Sequence, residues 1–206
     1  RETDRLGGFD PYSSSKAMAE VGISSLVRSF FLSKTPHIKV ASVRAGNVIG
    51  GGDWSPNRII PDSVNAWSSK GVVSVRSPNA TRPWQHVLEP LHGYLRTAEY
   101  LSQNSQTDEL SFNFGPDKEA NKTVADVMVA LKERLDGFDF EINVPSQNNR
   151  HEAGLLHLCC DRAKSILHWT PILNFDETFD YFCMKKIIQM ATVYENRNCD
   201  INRQYQ

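Results

Sequence analysis

The chain reads as an α/β protein: the end of a doubly wound parallel sheet, followed by a smaller mixed α/β lobe. Three observations predict this. Short apolar, β-branched runs alternate with longer segments of helical periodicity, the pattern of parallel strands joined by crossover helices. The run Lys39 to Val43 leads into a loop rich in glycine, Ala45-Gly46-Asn47-Val48-Ile49-Gly50-Gly51-Gly52, and open α/β sheets hold ligands just beyond the carboxyl ends of such strands. After about residue 55 the elements become shorter and more mixed. We therefore divide the chain into 1–55, the sheet portion; 56–195, mainly the second lobe with some elements returning to the sheet; and 196–206, a polar tail.

In order, residues 11–34 form a helix with an apolar face of Ile23, Leu26, Val27, Phe30 and Phe31, ended by Thr35-Pro36 because a residue before proline is pushed out of the helical region. Lys39 to Val43 is a buried parallel strand. Gly51 to Asn57 is a loop, and Arg58 to Ser69 a helix with Pro61 in a tolerated early position. Val72 to Val75 is a strand, Ser77 to Thr81 a turn, and Arg82 to Val87 is partly extended. Glu89-Pro90 opens a helix to about Gln103 with Leu91, Leu95, Ala98 and Leu101 inward. Ser111 to Gly115 is a strand, and Thr123 caps a helix to about Leu135 with Val127, Leu131 and Leu135 on one face. Phe138 to Val144 and Glu152 to Leu158 are strands flanking a loop. Asp161 caps a short helix, and Asp176 caps a long final one containing Phe179, Phe182, Met184, Ile187 and Ile188.

Composition narrows the function. The 206 residues are 40% hydrophobic and 23% charged, ordinary for a soluble globular chain. A formal net charge of −1 gives no general attraction to nucleic acid or an anionic membrane, so an anionic ligand needs local arginines and helix ends. No run approaches the ~20 apolar residues that span a bilayer, and no secretory leader is visible. The four cysteines, 159, 160, 183 and 199, lack zinc spacing and read as reduced thiols of a cytoplasmic protein; no metal is expected.

The stretch with the most chemistry is Asp10-Pro11-Tyr12-Ser13-Ser14-Ser15-Lys16. On a helix Tyr12 and Lys16 share a face, roughly 5–6 Å apart at Cβ. An ammonium beside a phenol favours the phenolate, and such a tyrosine can exchange a proton with a substrate hydroxyl. The same spacing also occurs on solvated helix faces, and the two readings stay open on spacing alone. Asn47 can either hydrogen-bond a ligand or satisfy its own turn.

Several stretches together resemble the CDP-glucose 4,6-dehydratases, a group within the extended short-chain dehydrogenase/reductases. They are Asp10 to Glu20, Ala41-Ser-Val-Arg-Ala-Gly-Asn-Val-Ile-Gly-Gly-Gly-Asp-Trp54, Arg58 to Asp62, Arg82-Pro-Trp-Gln-His-Val-Leu-Glu-Pro90, Asn113 to Pro116, His151 to Ala153 and Leu167 to Pro171. The resemblance implies a Rossmann-like fold. It also implies tightly held NAD and a CDP-glucose substrate, with oxidation at C4, loss of water across C5 and C6, and reduction at C6. The product, a CDP-4-keto-6-deoxy sugar, is a precursor of dideoxyhexoses in surface polysaccharides such as the lipopolysaccharide O-antigen.

It further implies roles. Tyr12 takes the C4 hydroxyl proton, and Lys16 assists it and holds the nicotinamide ribose. Ala45 and Val48 approach the nicotinamide through main chain. Asn47 faces the sugar phosphate, Arg82 the diphosphate, Arg58 and Arg76 are further phosphate candidates, and Glu152 accepts from ribose hydroxyls. For the arginines and Glu152 the alternative is an ordinary solvated side chain. Trp84 and His86 read as packing around Arg82. The helix at 12–34 implies a homodimer.

The family's Gly-rich pyrophosphate turn is missing: Gly50-Gly51-Gly52 leads into Asp53-Trp54-Ser55-Pro56, not into a helix. The chain begins with Arg, and our expectation is that it is the C-terminal part of a longer protein or of a truncated gene, inactive by itself. Two alternatives remain: another NAD-dependent nucleotide-sugar epimerase or dehydratase, and a non-catalytic fragment that binds sugar nucleotide or a partner subunit.

Overall fold

The computed structural model describes residues 1–184 except 36, 106, 107, 118–120 and 145–155. Helix α1, Pro11–Leu26, starts where Asp10 stands in extended geometry and its carboxylate accepts the Ser13 N–H at 3.0 Å. This fills one of the orphan donors of a helix start, and Pro11 suits the first turn because its missing N–H would have had no partner. The helix widens into a π turn over Val27–Phe31, where the Leu32 N–H reaches back five residues to the Val27 carbonyl at 3.1 Å.

Three parallel strand pairs follow. Strand β1, Ala41–Ala45, pairs with β5, Leu110–Phe114, in the register Ala41↔Leu110 to Ala45↔Phe114. Strand β2, Asn47–Ile49, pairs with β4, Thr81–His86, and β4 also runs antiparallel to β6, Asn121–Thr123. Strand β3, Val72–Val75, pairs with β7, Asp139–Ile142. The helices are α2, Ile59–Ser68; α3, Leu88–Gln103; α4, Val124–Arg134; α5, Asp161–Leu167; and α6, Phe175–Cys183.

Two hydrophobic cores organise these elements. One gathers Ile49, Val73, Val75, Trp84, Val127, Met128, Leu131, Leu135, Phe138, Phe179 and Phe182, and so joins β2, β3 and β4 to α4 and α6. The other gathers Phe112, Phe114, Cys160, Ala163, Leu167 and Trp169, with Val43 and Tyr94 against it, and so joins β1 and β5 to α3 and α5. Phe114 meets Trp169 edge-on at 4.9 Å between ring centroids, a favoured aromatic geometry. A clamp ties α3 to the segment before α6: the buried carboxylate of Glu89 accepts the N–H groups of Ile172 at 2.9 Å and Leu173 at 2.7 Å.

The structure shifts several expected boundaries. The first strand is Ala41–Ala45, not 39–43, and a second short strand follows at once after Gly46 where a loop was expected. Thr123 does cap α4, in a reciprocal box with Asp126. The cap of α5 is Cys160, with Asp161 inside the first turn. The cap of α6 is Asn174, paired reciprocally with Glu177, because Asp176 already lies within the helix. The strand expected at Glu152 to Leu158 lies partly outside the described residues, and Leu156 to Leu158 form no regular strand.

The inward face of α3 is also different. Glu89, Pro90, Gly93 and Thr97 are buried, whereas Leu91 is 46% and Leu95 72% exposed and Ala98 is exposed too. The cause is packing distance: a Cβ at Gly93 would collide with the Phe114 ring, so the helix lays its small residues, not its leucines, on β5. Helix α1 behaves similarly. Of the apolar face expected over 11–34 only Val27, in the π turn, is buried; Leu26 and Phe30 are exposed, and so are Met18 and Val21.

Candidate functional site

The site begins at Gly46, where the chain leaves the β1–β5 pair and enters the β2–β4–β6 sheet. Its N–H donates to the Phe114 carbonyl at 3.1 Å, continuing the β1–β5 ladder by one step. A side chain cannot stand there, since a Cβ would come within 2.7 Å of the Pro83 carbonyl oxygen and 3.0 Å of its Cγ. The next residue, Asn47, pairs with Trp84 across β2 and β4. Asn47 is thus fixed at the carboxyl end of β1, where ligands of open sheets bind.

Around this point opens a cleft of about 1470 Å³. Tyr12 stands in its wall, 64% exposed, from the first turn of α1. Ala45, Asn47 and Val48 line it from the strand crossing, and Arg58, Arg76 and Arg82 line it from the start of α2, the end of β3 and the start of β4. These positions, far apart in the chain, are brought to one cavity. Lys16 does not line the cleft; its Nζ lies 5.3 Å from the centre of the Tyr12 ring, one helical turn on. Glu152 lies outside the described residues.

The cleft lining carries three arginines and two carboxylates, Asp53 and Asp62. Arg58 and Arg76 are exposed, and the half-buried Arg82 donates from Nη1 to its neighbour's carbonyl, Thr81 O, at 2.7 Å. Asp53 also lines the cleft, and its carboxyl is held below the usual range by the Ser55 N–H and hydroxyl and by the charge of Arg58. Trp84 is buried with its indole N–H donating to the Lys122 carbonyl at 3.0 Å. His86 is buried too, and burial pushes its pKa below the ordinary 6.5 although Glu89 opposes the shift. Its Nδ1 accepts the Leu88 N–H at 3.3 Å, so His86 packs as a neutral ring.

Sequence reasoning missed several residues at the site. Gly46 and Pro83 set the strand crossing through backbone contacts, and Gln85 reaches from β4 to the Phe114 carbonyl at 2.9 Å. Only Gly46 left a signal, a glycine between two apolar runs. Trp54, Leu156 and Leu158 also line the cleft.

The fold is the Rossmann-like α/β fold found in nucleotide-sugar epimerases and dehydratases. The chain superposes on a UDP-glucose-4-epimerase of Stenotrophomonas maltophila, solved with NAD and formylated UDP-arabinopyranose, with a TM-score of 0.74 at 16% identity, covering 94% of this chain and 59% of that one. For a dTDP-glucose 4,6-dehydratase of Bacillus anthracis, solved with NAD, the values are 0.67 and 20%, over 89% and 54%. An epimerase of Methanothermobacter thermautotrophicus gives 0.77 and 15%, over 96% and 55%.

In sequence the chain is similar to a particular enzyme, the CDP-glucose 4,6-dehydratase of Salmonella typhimurium. It is 43% identical over 184 residues, 86% of this chain and 50% of that protein. The chain therefore spans about half the length of the curated relative it matches. No protein-family model matches.

Proposed function

We propose that the chain carries the sugar-nucleotide half of a CDP-glucose 4,6-dehydratase. The observation that carries this reading is the meeting of Tyr12, Asn47 and three arginines in one cleft at the carboxyl end of β1, in a chain 43% identical to such an enzyme. Guanidinium forks suit the two phosphates of a nucleoside diphosphate. Arg82, next to the Pro83 that meets Gly46 at the strand crossing, takes the diphosphate, with Arg58 and Arg76 as further phosphate contacts. Asn47 holds the sugar phosphate. Glu152, a ribose contact, completes the set.

Tyr12 receives the proton of the C4 hydroxyl as that carbon is oxidised, and C4 stays a ketone in the product. Lys16 assists Tyr12 from one helical turn on, its Nζ 5.3 Å from the centre of the Tyr12 ring. NAD, when bound, supplies the two-electron chemistry of the cycle. Its fit here is to one end only. Tyr12 and the main chain from Ala45 to Val48 line the same cleft, which suits a nicotinamide with its ribose, while no Gly-rich turn for a pyrophosphate occurs in the sequence. The acid and base of the elimination step are not assigned to residues of this chain.

We keep the division near residue 55, a sheet portion and then a substrate lobe to 195 with some elements returning to the sheet; Phe112, Phe114 and Trp169 pack against Val43 in that way, while Ile49 packs with residues of the lobe. The exposed Met18, Val21, Leu26 and Phe30 support a homodimer joined through the helix at 12–34; a monomer by sedimentation at micromolar concentration would count against it. The thiols of Cys159, Cys160 and Cys183 are unpaired, as in the cytoplasm. No helix of the described residues is long and apolar enough to cross a membrane.

The test is turnover of CDP-glucose by the full-length gene product, read by the absorbance of the 4-keto sugar in alkali, with Tyr12→Phe beside it. Turnover that falls by orders of magnitude in the variant supports the reading. A second reading, an epimerase or a dehydratase for another nucleotide, draws on the epimerases that share the fold. Equal rates on CDP-, dTDP- and UDP-glucose would favour it.

A further inference from the structure

We infer that Gln85 is a positioning residue for the cleft: it holds Asn47 in place by tying the two sheets together behind it. This rests on the reading of the cleft as a sugar-nucleotide site. Gln85 belongs to β4 and faces Val48 of β2 across the parallel ladder. Its side chain leaves that sheet and donates from Nε2 to the carbonyl of Phe114, the last residue of β5, at 2.9 Å. The same carbonyl accepts the Gly46 N–H at 3.1 Å. One oxygen therefore receives a strand end and a side chain from opposite sheets, and Asn47 is the next residue after that junction.

Gln85 is not a surface residue that reached this position by chance. It is 1% exposed, and its Oε1 is buried with no hydrogen-bond partner among the described residues. An unpaired buried acceptor is destabilising, and a hydrophobic residue of similar size would avoid the loss. The orientation of the amide is settled by its partner, because a carbonyl oxygen can only accept and so Nε2 must face Phe114. What the glutamine supplies that an apolar residue cannot is the N–H at that carbonyl.

The predictions separate positioning from packing. Gln85→Met keeps the volume and removes the donor. Gln85→Glu keeps the shape but, when ionised, presents an acceptor to an acceptor; when protonated it again has an O–H to donate to Phe114, and burial favours that neutral form. The first measurement needs no ligand: hydrogen exchange at the Gly46 N–H should speed up at least tenfold in Gln85→Met, with protection in α4 unchanged. The second is kinetic, on the full-length protein with CDP-glucose at a temperature where all variants are folded. Gln85→Met should lower kcat/KM tenfold or more, and Gln85→Glu should recover part of that loss as pH falls, relative to wild type.

The third is a cycle with Asn47→Ala, in which Gln85→Met should add little because its effect passes through Asn47. Unchanged Gly46 exchange would overturn the inference whether or not CDP-glucose is the substrate. So would a lowered Tm with unchanged kcat and KM, or fully multiplicative effects in the cycle. Failure of wild type to turn over CDP-glucose, with Gly46 exchange still raised in Gln85→Met, would overturn the proposed function and leave the sheet-tying role standing.

Discussion

Replacing Gly46 by alanine tests the strand crossing directly. The new Cβ would lie 2.7 Å from the Pro83 carbonyl oxygen, 3.0 Å from its Cγ and 3.2 Å from its Cβ. A carbon and a carbonyl oxygen in favourable contact stand ~3.3 Å apart, so β2 and β4 must separate by roughly 0.6 Å at this point. Overpacking of this kind costs about 1–3 kcal/mol. The nearest atom is backbone, so no rotamer change relieves it. Asn47 moves with the strand, and since a misplacement of ~1 Å in a site costs on the order of 10²-fold, a loss of roughly tenfold in CDP-glucose affinity or turnover is expected.

Urea unfolding of the wild type and Gly46→Ala, with calorimetric titration of CDP-glucose into each, measures both effects. A companion variant, Gly46→Ala with Pro83→Ala, should not recover, because the carbonyl oxygen remains. A stability change below about 0.5 kcal/mol with unchanged affinity would refute the argument, as would full recovery in the double variant.

Three further outcomes are expected. Arg82→Ala should weaken CDP binding by about 10–100-fold, with Arg82→Lys intermediate, because a charge-assisted bond to phosphate contributes about 1.5–3 kcal/mol; isothermal titration with CDP checks it, and equal affinity in all three would remove Arg82 from the site. Glu89→Ala should destabilise by about 3–5 kcal/mol by leaving the Ile172 and Leu173 N–H groups without their shared carboxylate, and Glu89→Gln, which can still accept, should lose less; denaturant midpoints decide between them. His86 supplies a pH dependence. Its folded pKa is pushed below 6.5 by burial, so the unfolded chain binds more protons in the window beneath 6.5. Stability is full above that value and falls as pH drops through the window. His86→Gln should show a shallower fall, and parallel curves for the two proteins would contradict the assignment.

What was legible in the sequence was local. Thr123 announced α4 because a hydroxyl and a carboxylate three residues apart satisfy each other's backbone N–H groups without outside help. The apolar runs of β3 and β5 and the helical start after Asp10-Pro11 were equally plain, and the motif residues Tyr12, Asn47, Arg58, Arg76 and Arg82 do share one cleft. What failed depended on contacts between distant residues. Helix α3 presents Gly93 and Thr97 to β5 since only a small residue fits against Phe114, and leucine periodicity pointed to the opposite side. The caps of α5 and α6 fell one and two residues away from the aspartates that suggested them. Gln85 had no local mark at all, because its partner carbonyl lies 29 residues away in sequence.

The crossing at Gly46 has a thermodynamic side. The chain has two cores, and each buries its own apolar surface, so each has a melting free energy of its own. A ligand seated across the crossing would meet Leu158, packed on one core, and Val75 and Trp84 of the other. Its binding free energy is then available only when both cores are folded together. Saturating nucleotide sugar should merge two overlapping calorimetric transitions into one sharper transition, so that the ligand sets the cooperativity of the molecule as well as its stability.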